Sequence, residues 1–222
     1  MGEPATWQRR VEEFVLGRIG DPPARVLEVG CGEGELALVL ARAGYSVTAI
    51  DPRVPEGPIF RRATIEEFSD PGRFDYVVAI LSLHHVEYIG IALDNVVELL
   101  RADGALLVVE FAWDRIDAAT AEWLIERLPN ASSVEHSWLG CCCQGERSVV
   151  EWATERGLHS SRRMREELAR RFVVRHFEWV PYLYPDLGKE VSETDEMAAI
   201  GSGTINATGF RYVGTKRSPA VL

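Results

Sequence analysis

The apolar residues Trp7, Val11, Phe14, Val15 and Ile19 recur at the spacing of one helix face, and Gly20 with Pro22 and Pro23 closes the segment. A lead-in helix is expected there. Arg25–Val29 is short, apolar and closed by glycines, which predicts a buried strand. Residues 36–43 have helical composition and stop at Gly44. Residues 45–50 form a second β-rich run ending in Asp51 and Pro52. Residues 74–81 and 105–111 are two more, the last introduced by a turn at Asp103 and Gly104, with a helix at about 91–101 between them. Strands that are apolar nearly throughout and alternate with helices predict a parallel sheet covered on both faces, an α/β fold.

Beyond Phe111 the pattern changes to helical stretches at 118–128 and 162–171. Phe172–Val180 and residues 207–215 then read as strands, joined by a connection that holds Tyr182, Tyr184, Pro185 and a helical stretch at 193–200. These two strands are expected to pair antiparallel at the sheet edge. The 222 residues fit one domain: a lead-in helix (1–20), a core (24–112), a variable region (113–171) and closing antiparallel strands (172–216).

The densest chemical signal is Val26-Leu27-Glu28-Val29-Gly30-Cys31-Gly32-Glu33-Gly34, a strand that runs through alternating glycines into a helix. Glycine admits positive φ and lets a ligand touch the backbone, and a helix start offers unpaired N–H groups. A dinucleotide-binding turn wants its third glycine at position 35, where Glu35 stands. Glu28 would repel a pyrophosphate but suits an ammonium group, so the α-amino acid end of a ligand is implied. Asp51, at the carboxyl end of the next strand, has the chemistry to accept both hydroxyls of a ribose.

Charge and cysteine usage narrow the partners. A net charge of -10 repels a phosphate backbone, and the run Arg162, Arg163, Arg165, Arg170 and Arg171 shares its helix with Glu166 and Glu167, which reads as a salt-bridged face. No nucleic-acid partner is expected. Cys31 lies in the glycine turn and Cys141, Cys142 and Cys143 are consecutive, which matches neither a disulfide framework nor paired zinc ligands, even with His136 nearby. A reduced cytoplasmic setting, with no membrane segment or signal peptide, is the expectation.

With these motifs the chain resembles the class I S-adenosylmethionine-dependent methyltransferases, in particular the small-molecule branch related to ubiquinone and menaquinone methyltransferases. The residues that carry the resemblance are Glu28, Gly30, Gly32 and Gly34, then Asp51, then Ala63-Thr64-Ile65-Glu66-Glu67-Phe68. Phe74-Asp75-Tyr76-Val77-Val78 leading to Leu83-His84-His85 follows, with Leu99-Leu100-Arg101-Ala102-Asp103-Gly104 and Gly209-Phe210-Arg211-Tyr212-Val213-Gly214. The resemblance implies a Rossmann-like, seven-stranded, mostly parallel sheet with the last strand antiparallel, helices on both faces, and S-adenosyl-L-methionine as cofactor. It implies that Gly30, Cys31, Gly32 and Gly34 with Glu28 hold the methionyl part, that Asp51 and Pro52 lie at the ribose, and that Thr64 and Ile65 flank the adenine. Leu81 and Ser82 complete that set. The family more often has an Asp where Thr64 stands.

On the acceptor side, methyl transfer needs alignment in a dry pocket and gains from a base when the acceptor loses a proton. His84 and His85 stand where family members meet cofactor and substrate, and one of them is expected to deprotonate or orient the acceptor. Trp113, Trp138, Trp179, Tyr182 and Tyr184 are candidates for an aromatic wall or for the core. Leu81-Ser82-Leu83-His84-His85 is not the Asn/Asp-Pro-Pro-aromatic motif of nucleobase and glutamine methylation. Glu110 and Asp114 replace the Asp-Asn pair that catechol-type enzymes use for magnesium, so no metal is expected. The expected activity is methylation of a small molecule, on oxygen ahead of nitrogen or carbon, with oligomeric state left open. The competing readings are an NAD-dependent oxidoreductase and a non-catalytic methyltransferase-like binding protein.

Overall fold

In the computed structural model, which describes residues 6–128, 149–187 and 191–217, the run Arg25–Val29 is strand β1, buried from Val26 onward. Helix α1 (Thr6–Leu16) precedes it, and α2 (Glu35–Arg42), β2 (Ser46–Ile50), β3 (Phe60–Arg61) and β4 (Phe74–Ile80) follow. Next come α3 (Ile89–Leu99), β5 (Leu100–Phe111), α4 (Ala118–Ile125), α5 (Val149–Glu155), α6 (Ser161–Arg171), β6 (Phe172–Val180), α7 (Glu193–Gly201) and β7 (Gly209–Lys216). The strands form a seven-stranded sheet in the order β3-β2-β1-β4-β5-β7-β6. β3, β2, β1, β4 and β5 are mutually parallel, and β7 runs antiparallel to both β5 and β6. The seven-stranded, mostly parallel sheet with an antiparallel last strand is therefore the fold observed. β3 spans only Phe60–Arg61, too short to leave a pattern in the sequence.

Alternation along the strands sorts side chains onto two faces. Leu27, Val77, Ala79, Leu106, Val108 and Phe210 pack with Ile89, Leu93 and Val96 of α3 and Met164 and Leu168 of α6. Val26, Ala49, Val78, Leu107 and Val109 pack with Val11, Phe14 and Val15 of α1 and with Leu36, Ala37 and Leu40 of α2. Each such fully buried aliphatic side chain contributes about 1.5–3 kcal/mol relative to exposure.

The arginine-rich helix α6 is tied down by ion pairs. Glu167, 2% exposed, receives Arg163 at 2.9 Å and Arg170 at 2.6 Å, and Arg171 bridges from Glu167 to Asp94 of α3 at 2.6 Å. Arg165 lies over the rings of Phe177 and Trp179.

Chain order runs outward from β1 in both directions, through β2 to β3 on one side and through β4 to β5 on the other. That makes the gap beyond the carboxyl ends of β1 and β4 the switch point, where open α/β sheets leave a crevice for ligands.

Candidate functional site

The glycine turn leaves β1 at this switch point. Gly30 N and Cys31 N both donate to Ile50 O, at 2.8 and 3.1 Å, which pins the turn to the end of β2. Gly30 has φ +70, and a Cβ there would lie 2.4 Å from Ser82 Cβ, so only glycine lets the ends of β1 and β4 approach this closely. Gly32 has φ +53 and would meet nothing within 4 Å, so its bare backbone faces open space. Its N–H donates to Asp51 Oδ2 at 3.2 Å, and Asp51 Oδ1 accepts from Arg53 N at 2.8 Å. Gly34 stands immediately before α2.

Two buried polar atoms beside this turn have no hydrogen-bond partner among the described residues: Glu28 Oε2 and Ser82 Oγ. Burial pushes the Glu28 carboxyl up to about 8, against a hydrogen bond from the Ala37 backbone that pulls it down. A lone buried carboxylate is costly without a cation, and an ammonium group is the partner that removes the cost. Leu81, between β4 and Ser82, has φ +49, a left-handed conformation that costs a branched residue about 1–3 kcal/mol and that clusters at functional sites. The open backbone at Gly32, the orphaned Glu28 oxygen and the nearby Asp51 carboxylate fit an amino acid joined to a ribose.

The other residues expected at this site divide by side chain and backbone. Cys31 is buried in the core around α1 and α2, and burial together with Glu28 and Asp51 pushes its thiol up to about 12. Its backbone is engaged within the turn, the N–H with Ile50 O and the carbonyl with Gly34 N at 2.8 Å. Ile65, 3% exposed, likewise belongs to the core. The Thr64 carbonyl closes a turn by accepting from Phe68 N at 3.0 Å, and Pro52 is exposed beside Asp51.

On the acceptor side, the short 3-10 turn Leu83–His85 sits over Glu110. Glu110 is fully buried; its Oε1 accepts from Leu83 N at 2.6 Å and His84 N at 3.3 Å, and its Oε2 accepts from Phe111 N at 3.0 Å. His84 Nδ1 lies 2.6 Å from the same Oε2. An oxygen so occupied by donors fixes the tautomer: Nδ1 carries the hydrogen, and in the neutral ring Nε2 holds the lone pair. Burial lowers the His84 pKa, but the charge and hydrogen bond of Glu110 together outweigh it and hold it above the ordinary value. His85, with its ring 4.1 Å from that of His84, is held below the ordinary value by desolvation and by His84 and Arg53. The two histidines are thus driven apart in basicity, which is how neighbouring groups take different roles. In the sequence Glu110 stands only where catechol-type enzymes keep a metal ligand; the signal for its role is an acid within the apolar run 105–111.

A cavity of about 160 Å³ opens between α1, α7 and the ends of β5, β6 and β7, with Trp7, Tyr182, Tyr184, Glu110 and Arg211 among its lining. Tyr182 stacks on Phe111 at 4.6 Å, Phe111 meets His84 edge-on at 6.4 Å, and Trp7 meets Tyr182 edge-on at 6.5 Å. An aromatic row therefore joins the cavity to the His84 turn. Glu196 of α7, fully buried, fixes this wall by accepting from Tyr182 N at 2.8 Å, Leu183 N at 2.9 Å and Tyr184 N at 2.7 Å.

Two expected wall residues do other work. Trp113 is 8% exposed, packs with Val149 and Ala153 of α5, and donates from Nε1 to His159 O at 3.1 Å, so it is core. Although Trp179 borders the cavity, its ring is covered by Arg115 at 3.9 Å and packs edge-on against Phe177 and Phe210. Trp138, His136 and Cys141, Cys142 and Cys143 lie outside the described residues. Among the described residues no group of three or more His, Cys, Asp or Glu side chains could hold a metal ion, and no helix is long and apolar enough to cross a membrane.

A methyltransferase domain model matches residues 3–160. The chain belongs to that methyltransferase domain family. It is 33% identical over 98 residues to the ubiquinone biosynthesis O-methyltransferase of Azorhizobium caulinodans, covering 38% of this chain and 39% of that one. It is 29% identical over 167 residues to the protein of the same name from Xylella fastidiosa, covering 66% and 65%. The chain thus spans about two fifths to two thirds of the length of these relatives. In fold it is similar to the N-methyltransferase NodS from Bradyrhizobium japonicum in complex with S-adenosyl-L-homocysteine. The TM-score is 0.58 at 16% identity, covering 97% of this chain and 90% of that one.

Proposed function

We propose that this chain transfers a methyl group from S-adenosyl-L-methionine to a hydroxyl oxygen of a small molecule, with His84 as the base. The observation that carries the reading is the buried His84–Glu110 pair, which leaves Nε2 as the basic atom of a ring on the turn that follows β4. When bound, the cofactor supplies an electrophilic methyl group on a sulfonium sulfur, which keeps the bonding pair as the methyl leaves. Glu28 would hold its ammonium group, the open backbone around Gly32 would face its carboxylate end, and Asp51 would take its ribose hydroxyls. Ser82 Oγ, Leu81, Pro52 and Thr64 would line the remainder, with the Ile65 side chain packed in the core behind them.

His84 Nε2 accepts the acceptor's hydroxyl proton as the oxygen lone pair forms the new O–C bond, and Glu110 stabilises the imidazolium that results. Alignment of oxygen, carbon and sulfur in one line supplies about 7–11 kcal/mol, and the base contributes about 10²–10⁴ in rate. The named activity of the ubiquinone biosynthesis relatives supports oxygen as the methylated atom. Membership in a methyltransferase family weighs against an NAD-dependent oxidoreductase, and the retained base weighs against a purely binding role.

The test is turnover with methyl-labelled S-adenosyl-L-methionine and a panel of phenols and amines, with wild type beside His84→Ala. Label on oxygen and a loss of about 10²–10⁴ in kcat with S-adenosyl-L-homocysteine affinity kept are expected. Label on nitrogen overturns the oxygen assignment, and an unchanged kcat in His84→Ala overturns the base.

A further inference from the structure

We infer that the cavity between α1 and α7 selects an acceptor built on one planar ring that bears an anionic group, with Arg211 as the recognition residue. This rests on the reading of the crevice as a methyl-transfer site and goes on to name the acceptor's chemistry. A volume of about 160 Å³ is that of a small aromatic site, since a buried cavity of roughly 150 Å³ takes up benzene. Trp7, Tyr182 and Tyr184 supply flat apolar walls, and the aromatic row through Phe111 leads to His84.

The polar groups around the cavity carry the charge argument. Its three carboxylates each have a partner: Glu110 has His84 and the turn above it, Glu193 has Arg10 at 2.9 Å, and Glu178 has Arg211 at 3.3 Å. Against them the lining sets two guanidinium groups, Arg10 and Arg211, and the polar atom left over is Arg211 Nε. Arg211 presents five N–H groups and, among the described residues, uses Nη1 on Glu178, while its buried Nε has no partner. The guanidinium carbon lies 5.3 Å from the Phe14 ring centroid and Nη1 lies 3.3 Å from Glu178, two contacts that favour one orientation. The Tyr184 hydroxyl, pushed up to about 12 by burial and by Glu193 and Glu196 against Arg10 and Arg211, stays a neutral donor beside it. A buried Nε–H without an acceptor is what a carboxylate oxygen completes, and the fork of the guanidinium suits the second oxygen.

Calorimetric titration of the full chain with benzoate and with benzamide, its neutral isostere, tests this, with and without S-adenosyl-L-homocysteine. One benzoate per chain, bound about tenfold or more tightly than benzamide, is expected, because a charge-assisted pair is worth about 1.5–3 kcal/mol. Arg211→Lys keeps the charge but not the fork, and reduces that preference to about threefold or less. Met197 lines the cavity and is 56% exposed, so Met197→Trp obstructs the site without touching the core and weakens benzoate about tenfold at an unchanged melting temperature. Equal binding of benzoate and benzamide, no binding of either, or benzoate affinity indifferent to both substitutions overturns the proposal. Absence of S-adenosyl-L-homocysteine binding overturns the methyl-transfer reading instead, and the benzoate titration of the ligand-free chain still decides the cavity.

Discussion

Glu110 Oε2 lies 2.6 Å from His84 Nδ1, with Glu110 fully buried and His84 only 6% exposed. The same carboxylate accepts from the backbone of Leu83, His84 and Phe111, so one acid fixes the turn, the ring and its tautomer together.

Replacing Glu110 by Gln should break this arrangement, because an amide nitrogen meets donors where an oxygen stood. A loss of about 2–4 kcal/mol in urea unfolding is expected for a buried charged pair that also satisfies backbone groups. Glu110 holds the His84 pKa up, so the acid limb of the kcat/KM profile should move to lower pH in the variant. The raised His84 pKa also gives wild type a stability contribution that is full below the unfolded value of about 6.5 and fades as pH rises through the native value. An unshifted acid limb would rule out His84 as the titrating base.

Glu28→Gln should trade binding for stability. The native carboxyl, pushed up to about 8, holds its proton more tightly than an unfolded one, so wild type loses stability as pH rises from about 4.5 to 8. Melting temperatures of the variant should therefore gain on wild type across that range. Affinity for S-adenosyl-L-homocysteine should rise with pH toward 8 in wild type and be weaker and flat in the variant. A pH-independent affinity in wild type would separate Glu28 from the ligand's ammonium group.

Gly32→Ala places a methyl group in open space at φ +53. Folding should suffer by only about 1 kcal/mol. Binding of S-adenosyl-L-homocysteine should weaken by about tenfold or more if the backbone is the contact surface, and an unchanged Kd in calorimetry would show that the ligand lies elsewhere.

Glu167→Gln should loosen α6 from α3, since Glu167 gathers Arg163, Arg170 and Arg171, and Arg171 reaches Asp94. Burial raises the Glu167 pKa, but its arginine partners outweigh that and hold it below the ordinary range. Its contribution is present above the unfolded value of about 4.3 and is lost as pH falls through the native one. Unfolding free energies in urea should separate wild type from the variant by about 2–4 kcal/mol at pH 7 and converge once pH has fallen below the native value. A constant gap between the two would contradict this.

The strands were legible where hydrophobic runs are long: Arg25–Val29 and Phe172–Val180 were expected at the bounds they take. The glycine turn and Asp51 were legible because their chemistry is local, and the sheet brings them to a 3.2 Å contact between Gly32 N and Asp51 Oδ2. Glu110, Glu196 and Arg211 did not stand out, because what makes each of them matter is a partner far along the chain. Glu196, for example, caps Tyr182 to Tyr184 by tertiary contact alone. Trp113 was open between wall and core, because a tryptophan near a site is as ready to fill core as to wall a pocket, and the structure places it in the core.

Methyl transfer at this site requires that the crevice between β1 and β4 take an amino acid joined to a nucleoside. Calorimetric titration of the full chain with S-adenosyl-L-homocysteine and, separately, with NAD addresses that directly. One S-adenosyl-L-homocysteine per chain and no heat with NAD is the predicted result; binding of NAD with none of S-adenosyl-L-homocysteine would contradict it.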